Sequence, residues 1–303
     1  MSDRIGFIGL GVMGEPMARN HLTKGDRPLT VFDVRPEPLD RLVADGAEPA
    51  ASIGAMVCAV DVVCLSLPGG PELEAVVAGD GGVLENLTAG QLVVDHTTAP
   101  PLLTKELAER CRAAGADYCD APIARTRQAA IDGTLSIMVG GSADAFDRLS
   151  PLLEPVATDV THCGDVGSGQ VTKILNNMML FQNVRAIAEA HAIAVGLSEE
   201  TTDGAGDEAR IGLDLDQVFN AILAASGGSF ALGSHGMKAM FRDSYPMDAF
   251  STTYALKDLG YAIELAEQVG LDATGALTTQ ELMRAAKDAG YTDEYWPVLR
   301  RVL

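Results

Sequence analysis

Two groups of residues have the types and spacings that chemistry needs. The first is Gly9-Leu10-Gly11-Val12-Met13-Gly14, a GxGxxG run with Asp33 further on. Glycines at these positions permit a tight turn, let the backbone approach a pyrophosphate and allow a helix to pack closely on a strand. A helix opening at Gly14 would offer free N–H groups and the positive end of its dipole to an anion. Asp33 ends the apolar run Leu29-Thr30-Val31-Phe32, where a carboxylate accepts the ribose hydroxyls of a dinucleotide. It would repel a 2′-phosphate, so NAD is favoured over NADP, although Arg35 could still pair with a phosphate. The glycines alone could serve a tight turn without a ligand. The strand before them, the helix after them and Asp33 together point to a nucleotide.

The second group is Lys173 and Asn177, one helical turn apart and so on one face. Hydride transfer between a carbinol carbon and nicotinamide requires a proton donor and acceptor at the carbinol oxygen. Lysine can fill both roles if burial lowers its pKa from an ordinary value of about 10.4. The plain alternative is a surface lysine whose stem covers apolar neighbours. His96, beside Thr97 and Thr98 at a strand end, reads as packing or supporting rather than catalytic. His21, His162, His191 and His235 have no partners at metal-ligand spacing, so no metal site is expected.

These residues require a particular set of elements. Up to about Gly164, short β-rich runs alternate with helical segments, as in a parallel α/β sheet. Strands are expected at Arg4–Leu10, Leu29–Asp33, Asp61–Leu67, Leu92–His96, Asp117–Ala121 and Leu135–Val139. Pro36 and Pro38 open one helix that Gly46 closes, and Pro100-Pro101 start another ending near Gly115. From about Gly167 strand-like runs disappear. Val171, Ile174, Leu175, Met178 and Phe181 begin an apolar stripe towards Val195, which predicts a helix of about 25 residues ended by Gly196. The expected fold class is α/β: a Rossmann-type doubly wound parallel sheet over residues 1–165, then an all-α domain over 166–303, joined by that long helix. The acidic stretch from Ser198 to Asp216 fits neither pattern and reads as a solvated loop or insertion.

Composition narrows the partners. The 303 residues carry 22 Lys+Arg against 42 Asp+Glu, a formal charge of −20. Nucleic acid and anionic membranes would be approached against that field, and no uncharged apolar run is long enough to span a bilayer. The five cysteines form neither a CxxC pair nor a zinc-finger spacing, so a reduced, cytoplasmic setting is expected.

Several separated motifs resemble those of one family. Gly6-Phe7-Ile8-Gly9-Leu10-Gly11-Val12-Met13-Gly14-Glu15-Pro16-Met17-Ala18 resembles the N-terminal motif of the β-hydroxyacid dehydrogenases. Leu67-Pro68 resembles their loop after the third main strand, and Asp95-His96-Thr97-Thr98 their nicotinamide-side DxST segment, with Thr97 for Ser. Asp120-Ala121-Pro122-Ile123, with Gly133-Thr134-Leu135 and Gly140-Gly141, resembles their substrate-loop motif. Gly167-Ser168-Gly169 with Lys173, Asn176 and Asn177 resembles their catalytic-helix motif, and Lys257-Asp258-Leu259-Gly260 their KDLG motif.

The resemblance implies an NAD(P)-dependent dehydrogenase or reductase acting on a small anionic substrate, with Lys173 and Asn177 catalytic. It implies cofactor contacts at Gly9, Gly11, Val12, Met13, Gly14, Asp33, Leu67, Pro68, Thr98 and Lys257. Homodimers or homotetramers built through the helical domains are expected on the same ground. One segment departs from the family: Ala124-Arg125-Thr126 stands where Ser-Gly-Gly is usual. This resembles the Gly-Arg-Thr loop of the 3-sulfolactaldehyde reductases, and implies that Arg125, with Ala124, Thr126 and Asn176, receives a carboxylate or sulfonate. Arginine suits such planar or multi-oxygen anions. Arg125 could instead pair with a protein carboxylate. Two other functions compete: imine reduction on the same scaffold, whose enzymes generally replace the lysine, and nucleotide-binding regulation without catalysis.

Overall fold

The computed structural model describes residues 3–198 and 211–303. The chain divides into two compact units after Ile174. Among the described residues the first is built on a sheet of nine strands: β1 (Ile5–Ile8), β2 (Leu29–Phe32), β3 (Glu48–Pro49), β4 (Val62–Leu65), β5 (Leu92–Asp95), β6 (Asp117–Asp120), β7 (Ile123–Ala124), β8 (Leu135–Gly140) and β9 (Ala157–Gly164). Their order is β3-β2-β1-β4-β5-β6-β8-β7, with β9 on the other side of β8. From β3 to β6 every pairing is parallel.

Strands at the centre of such a sheet are covered on both faces and read as continuous apolar runs. Accordingly β1, β4 and β5 are buried at every residue. Successive side chains enter opposite cores: Phe7, Cys64 and Val94 pack with Leu10 and Met17, while Ile8, Val63, Leu65 and Val93 pack with Met56 and Leu107. The helices follow the punctuation, with Pro36–Ala44 and Pro101–Ala113 starting on the expected prolines.

The far end of the sheet differs from expectation. β8 runs antiparallel to β6 and β7 and parallel to β9. β9 was not among the expected strands; most of its residues are exposed or half-exposed, so it carries no apolar periodicity.

The long helix spans Ser168–Ser198, 31 residues, or roughly 46 Å at 1.5 Å per residue. It runs through Gly196, which therefore does not end it. A glycine inside a helix costs only about 1 kcal/mol, and burial of Ile174, Phe181, Val184, Ala188 and Ala194 outweighs that. After Ile174 the second unit is helical, with Leu215–Ala224, Thr252–Gln268 and Thr274–Asp288 as its further α-helices. Its core includes Trp296 edge-on to Phe181 at 4.8 Å between centroids. Residues 199–210, the greater part of the acidic stretch, lie outside the described residues. At its described end Asp214 caps a helix by accepting from the Gln217 N–H, and Asp216 pairs with Arg242. No helix among the described residues is long and apolar enough to cross a membrane.

Candidate active site

In an open parallel sheet, ligands sit beyond the carboxyl ends of the strands where the strand order reverses, here beside β1 and β4. The glycine turn Gly9–Gly14 and Asp33 lie together there. Gly9 leaves β1 in the left-handed region at φ 91°. A Cβ at Gly9 would strike the Ser66 carbonyl beyond β4, and one at Gly14 would strike the Gly9 carbonyl. The two glycines thus let the turn lie flat against both strand ends. Gly11 has open space where a Cβ would stand, and the helix Gly14–Lys24 begins with no side-chain cap at Met13. This cradle fits a pyrophosphate, with Val12 exposed beside it.

Asp33 closes the turn from the end of β2. Its carboxylate accepts the Leu10 N–H at 2.6 Å and the Arg35 guanidinium at 3.1 and 3.2 Å. Partial burial raises its pKa, but the hydrogen bonds from Arg35 and Leu10 outweigh this and hold the carboxyl below the usual range. Arg35 also donates to the Leu10 carbonyl, so the guanidinium lies over the acid that would take ribose hydroxyls.

The ends of β4 and β5 carry Leu67, Pro68 and Thr98. The Leu67 N–H donates to Thr97 Oγ1 at 3.1 Å, and the Thr97 N–H to Asp95 Oδ1 at 2.9 Å. Asp95 also accepts from the Tyr118 hydroxyl; burial nevertheless pushes its carboxyl up to about 7. His96 has its Nδ1 at 2.8 Å from the Ala121 carbonyl and is stacked on Phe7. Burial lowers it to about 4, so it is neutral at physiological pH. That is a packed core histidine.

The foot of the long helix is fixed by Asp120 at the end of β6. Its two carboxylate oxygens accept the N–H groups of Gly167 at 2.7 Å and Gln170 at 2.8 Å. Burial pushes this carboxyl up to about 6 against those bonds. Lys173 follows within one turn and is half-buried. Asn177, one turn later, is buried; its amide donates to Asp258 Oδ2 at 2.7 Å and accepts from Asn176 at 3.1 Å. Asp258 is itself buried and lies 2.9 Å from Lys257 Nζ. Within the helical unit Asn177, Asp258 and Lys257 therefore form one cluster. The contact from Asp258 orients the Asn177 amide.

The loop Ala124–Thr126 is built differently. Ala124 ends β7 opposite Ser136, and the Thr126 hydroxyl caps the helix Arg127–Asp132. Arg125 has φ 86°, a left-handed conformation at a non-glycine residue. Its guanidinium donates to the Thr134 carbonyl at 2.5 Å, Thr158 Oγ1 at 2.9 Å and Asp159 at 2.6 Å. Those partners lie at the starts of β8 and β9. A Cβ on Gly169, at the foot of the long helix, would meet Met138 and Gly140 near the opposite end of β8, roughly 15 Å away along the strand. In this conformation Arg125 pairs with a protein carboxylate.

Known proteins similar to this chain belong to one family of oxidoreductases. The family described as the NAD binding domain of 6-phosphogluconate dehydrogenase matches residues 4–164. The family described as NAD-binding of NADP-dependent 3-hydroxyisobutyrate dehydrogenase matches residues 204–298. The chain is 34% identical to 3-hydroxyisobutyrate dehydrogenase of Pseudomonas aeruginosa, over 88% of this chain and 86% of that protein. It is 32% identical to 3-sulfolactaldehyde reductase of Escherichia coli, over 97% and 94%. The solved structure of Mycobacterium tuberculosis 3-hydroxyisobutyrate dehydrogenase with L-serine superposes with a TM-score of 0.84 at 28% identity, covering 100% of this chain and 99% of that one.

Proposed function

The chain belongs to the β-hydroxyacid dehydrogenase family and is an NAD(P)-dependent oxidoreductase acting on a hydroxyl group; from that premise we propose that it interconverts a small anionic 3-hydroxy acid, or hydroxy-sulfonate, and its aldehyde. The observation that carries this reading is one continuous helix bearing Lys173 and Asn177 a turn apart, with Asp258 holding the Asn177 amide. Nicotinamide, when bound, supplies the hydride acceptor or donor. Lys173 Nζ takes the proton from the carbinol oxygen during oxidation and returns it during reduction. An amide nitrogen carries two hydrogens. Asp258 engages one, leaving the second for the substrate's hydroxyl or carboxylate. Gly9, Gly11, Val12, Met13 and Gly14 cradle the pyrophosphate, while Leu67, Pro68, Thr98 and Lys257 complete the cofactor contacts.

NAD is the preferred cofactor, supported by the Asp33 carboxylate at the end of β2. The substrate's anion is received by the Ala124–Thr126 loop with Asn176. For Arg125 to contribute, it must exchange Asp159 for the substrate's oxygens. Exposed Met179, Ile193, Phe230 and Met247 in the helical unit support a homo-oligomer built through that unit, which sedimentation would detect.

Absorbance of the reduced nicotinamide, followed with NAD and 3-hydroxyisobutyrate or L-serine and with NADH and 3-sulfolactaldehyde, tests the reading. Turnover of at least one, faster with the non-phosphorylated cofactor, is expected. NADH binding without turnover of any would support the regulatory alternative.

A further inference from the structure

The side chain of Gln170 is not explained by helix packing. It is fully buried in the first turn of the long helix, three residues before Lys173. Its Oε1 accepts the Ala99 N–H at 3.1 Å, and its Nε2 donates to the Thr97 carbonyl at 2.7 Å. A side-chain amide here pairs with the backbone on both sides of Thr98, as a neighbouring strand would. The Gln170 backbone N–H is meanwhile held by Asp120, and Thr97 is held to Leu67 through its hydroxyl. One residue thus connects the ends of β4, β5 and β6 to the foot of the helix.

We propose that Gln170 is a positioning residue: its amide fixes the height and rotation of the Lys173-bearing helix relative to the loop that carries Thr98. The two bonds come from opposite ends of one planar group, so the amide cannot rotate without breaking both. Their partners flank Thr98, so a shift of the helix foot is transmitted to that residue. Helical geometry makes the connection from Gln170 to Lys173 about 4.5 Å along the axis, short enough for rotation at one to move the other. Rates in such sites fall steeply when reacting groups shift, by as much as about 100-fold per ångström.

The inference rests on Lys173 as the proton-handling group, and two measurements separate its failure from failure of that reading. The first needs no turnover. In Gln170→Met, which keeps the volume and removes both bonds, amide hydrogen exchange is expected to accelerate together at residues 97–99 and 167–173 of the cofactor-free protein. Unchanged exchange at either segment overturns the proposal.

The second uses whichever of 3-hydroxyisobutyrate, L-serine or 3-sulfolactaldehyde turns over. The variant's kcat should fall roughly 10- to 100-fold, KM should stay within about threefold, and the isotope effect with deuterium at the hydride-donating carbon, the substrate's in oxidation or the reduced nicotinamide's in reduction, should rise. Loss of fold would lower the active fraction without raising the isotope effect, and that outcome overturns the proposal. Should Gln170→Met not fold, Gln170→Glu keeps the acceptor for Ala99 and regains the Thr97 donor when protonated. Its kcat relative to the unaltered protein should climb as pH falls from about 8 to about 5, since burial raises a carboxyl pKa; a flat ratio contradicts the proposal. If none of the three substrates turns over, the activity reading fails and the exchange result alone decides whether the link exists.

Discussion

Two turns in the first unit reach nearly the same positive φ by opposite means. Gly9 reaches φ 91° and Arg125 φ 86°. At Gly9 the absence of a side chain is the solution, because a Cβ would collide with the Ser66 carbonyl. At Arg125 a long side chain occupies a conformation that costs a non-glycine residue about 1–2 kcal/mol. Its guanidinium offsets that through Thr134, Thr158 and Asp159. The glycine turn is thus held by what is missing, and the Arg125 loop by a strap of side-chain hydrogen bonds, which on the proposed reading a substrate's anion would have to displace. Strain of this kind persists only where surrounding contacts over-determine it.

Substitutions sharpen the contrast. Gly9→Ala should have the largest effect, combining a collision with backbone and a forbidden φ. Unfolding in urea should show a loss of about 3 kcal/mol or more, and NADH fluorescence should show no binding. Next, Asp33→Ala should weaken NAD binding by about tenfold, a lost charged hydrogen bond of roughly 1.5 kcal/mol, and narrow the preference over NADP. Equilibrium titrations with both cofactors measure this.

The Arg125 loop should respond less and in a different pattern. Arg125→Gly should be more stable than Arg125→Ala by about 1 kcal/mol, because only the former relieves the left-handed backbone; equal stabilities would mean that the strap stores no strain. Asp159→Asn tests whether the strap competes with substrate. It should lower KM for an anionic substrate several-fold, whereas Arg125→Ala should raise it.

The smallest effect is on acid response. The Thr158 hydroxyl, then Arg125, hold the Asp159 carboxyl below its usual value. A depressed folded pKa contributes stability above the unfolded value, about 3.9, and loses it as pH falls through the folded value. The difference between Arg125→Ala and the unaltered protein should therefore shrink below about pH 4. The Gly9→Ala penalty, which comes from a collision with the Ser66 backbone carbonyl rather than from an ion pair, should change less.

The contrast also explains what could be read from the residues in order. The nucleotide turn was legible because its requirements are local: three glycines, a buried strand and an acid about 20 residues on. The helix Pro101–Ala113 and the apolar face starting at Ile174 were legible for similar reasons. β9 was not, since an edge strand with exposed residues carries no apolar alternation. Gly196 misled because a local helix-stop signal was outweighed by burial along the face. Gln170 and Asp258 gave no signal of their roles. Their importance comes from reaching Thr97, Ala99 and Asn177, whose proximity only the fold creates. The Arg125 substitution was visible, but its pairing with Asp159 depended on how β8 and β9 run.

The central proposal is that Lys173 moves the proton at the carbinol oxygen, and Lys173→Met measures it most directly. With the best substrate and NAD, kcat should drop by roughly 10²- to 10⁴-fold, while NADH affinity and urea stability stay close to those of the unaltered protein. Retention of kcat within a few-fold, with binding and stability intact, would contradict the account.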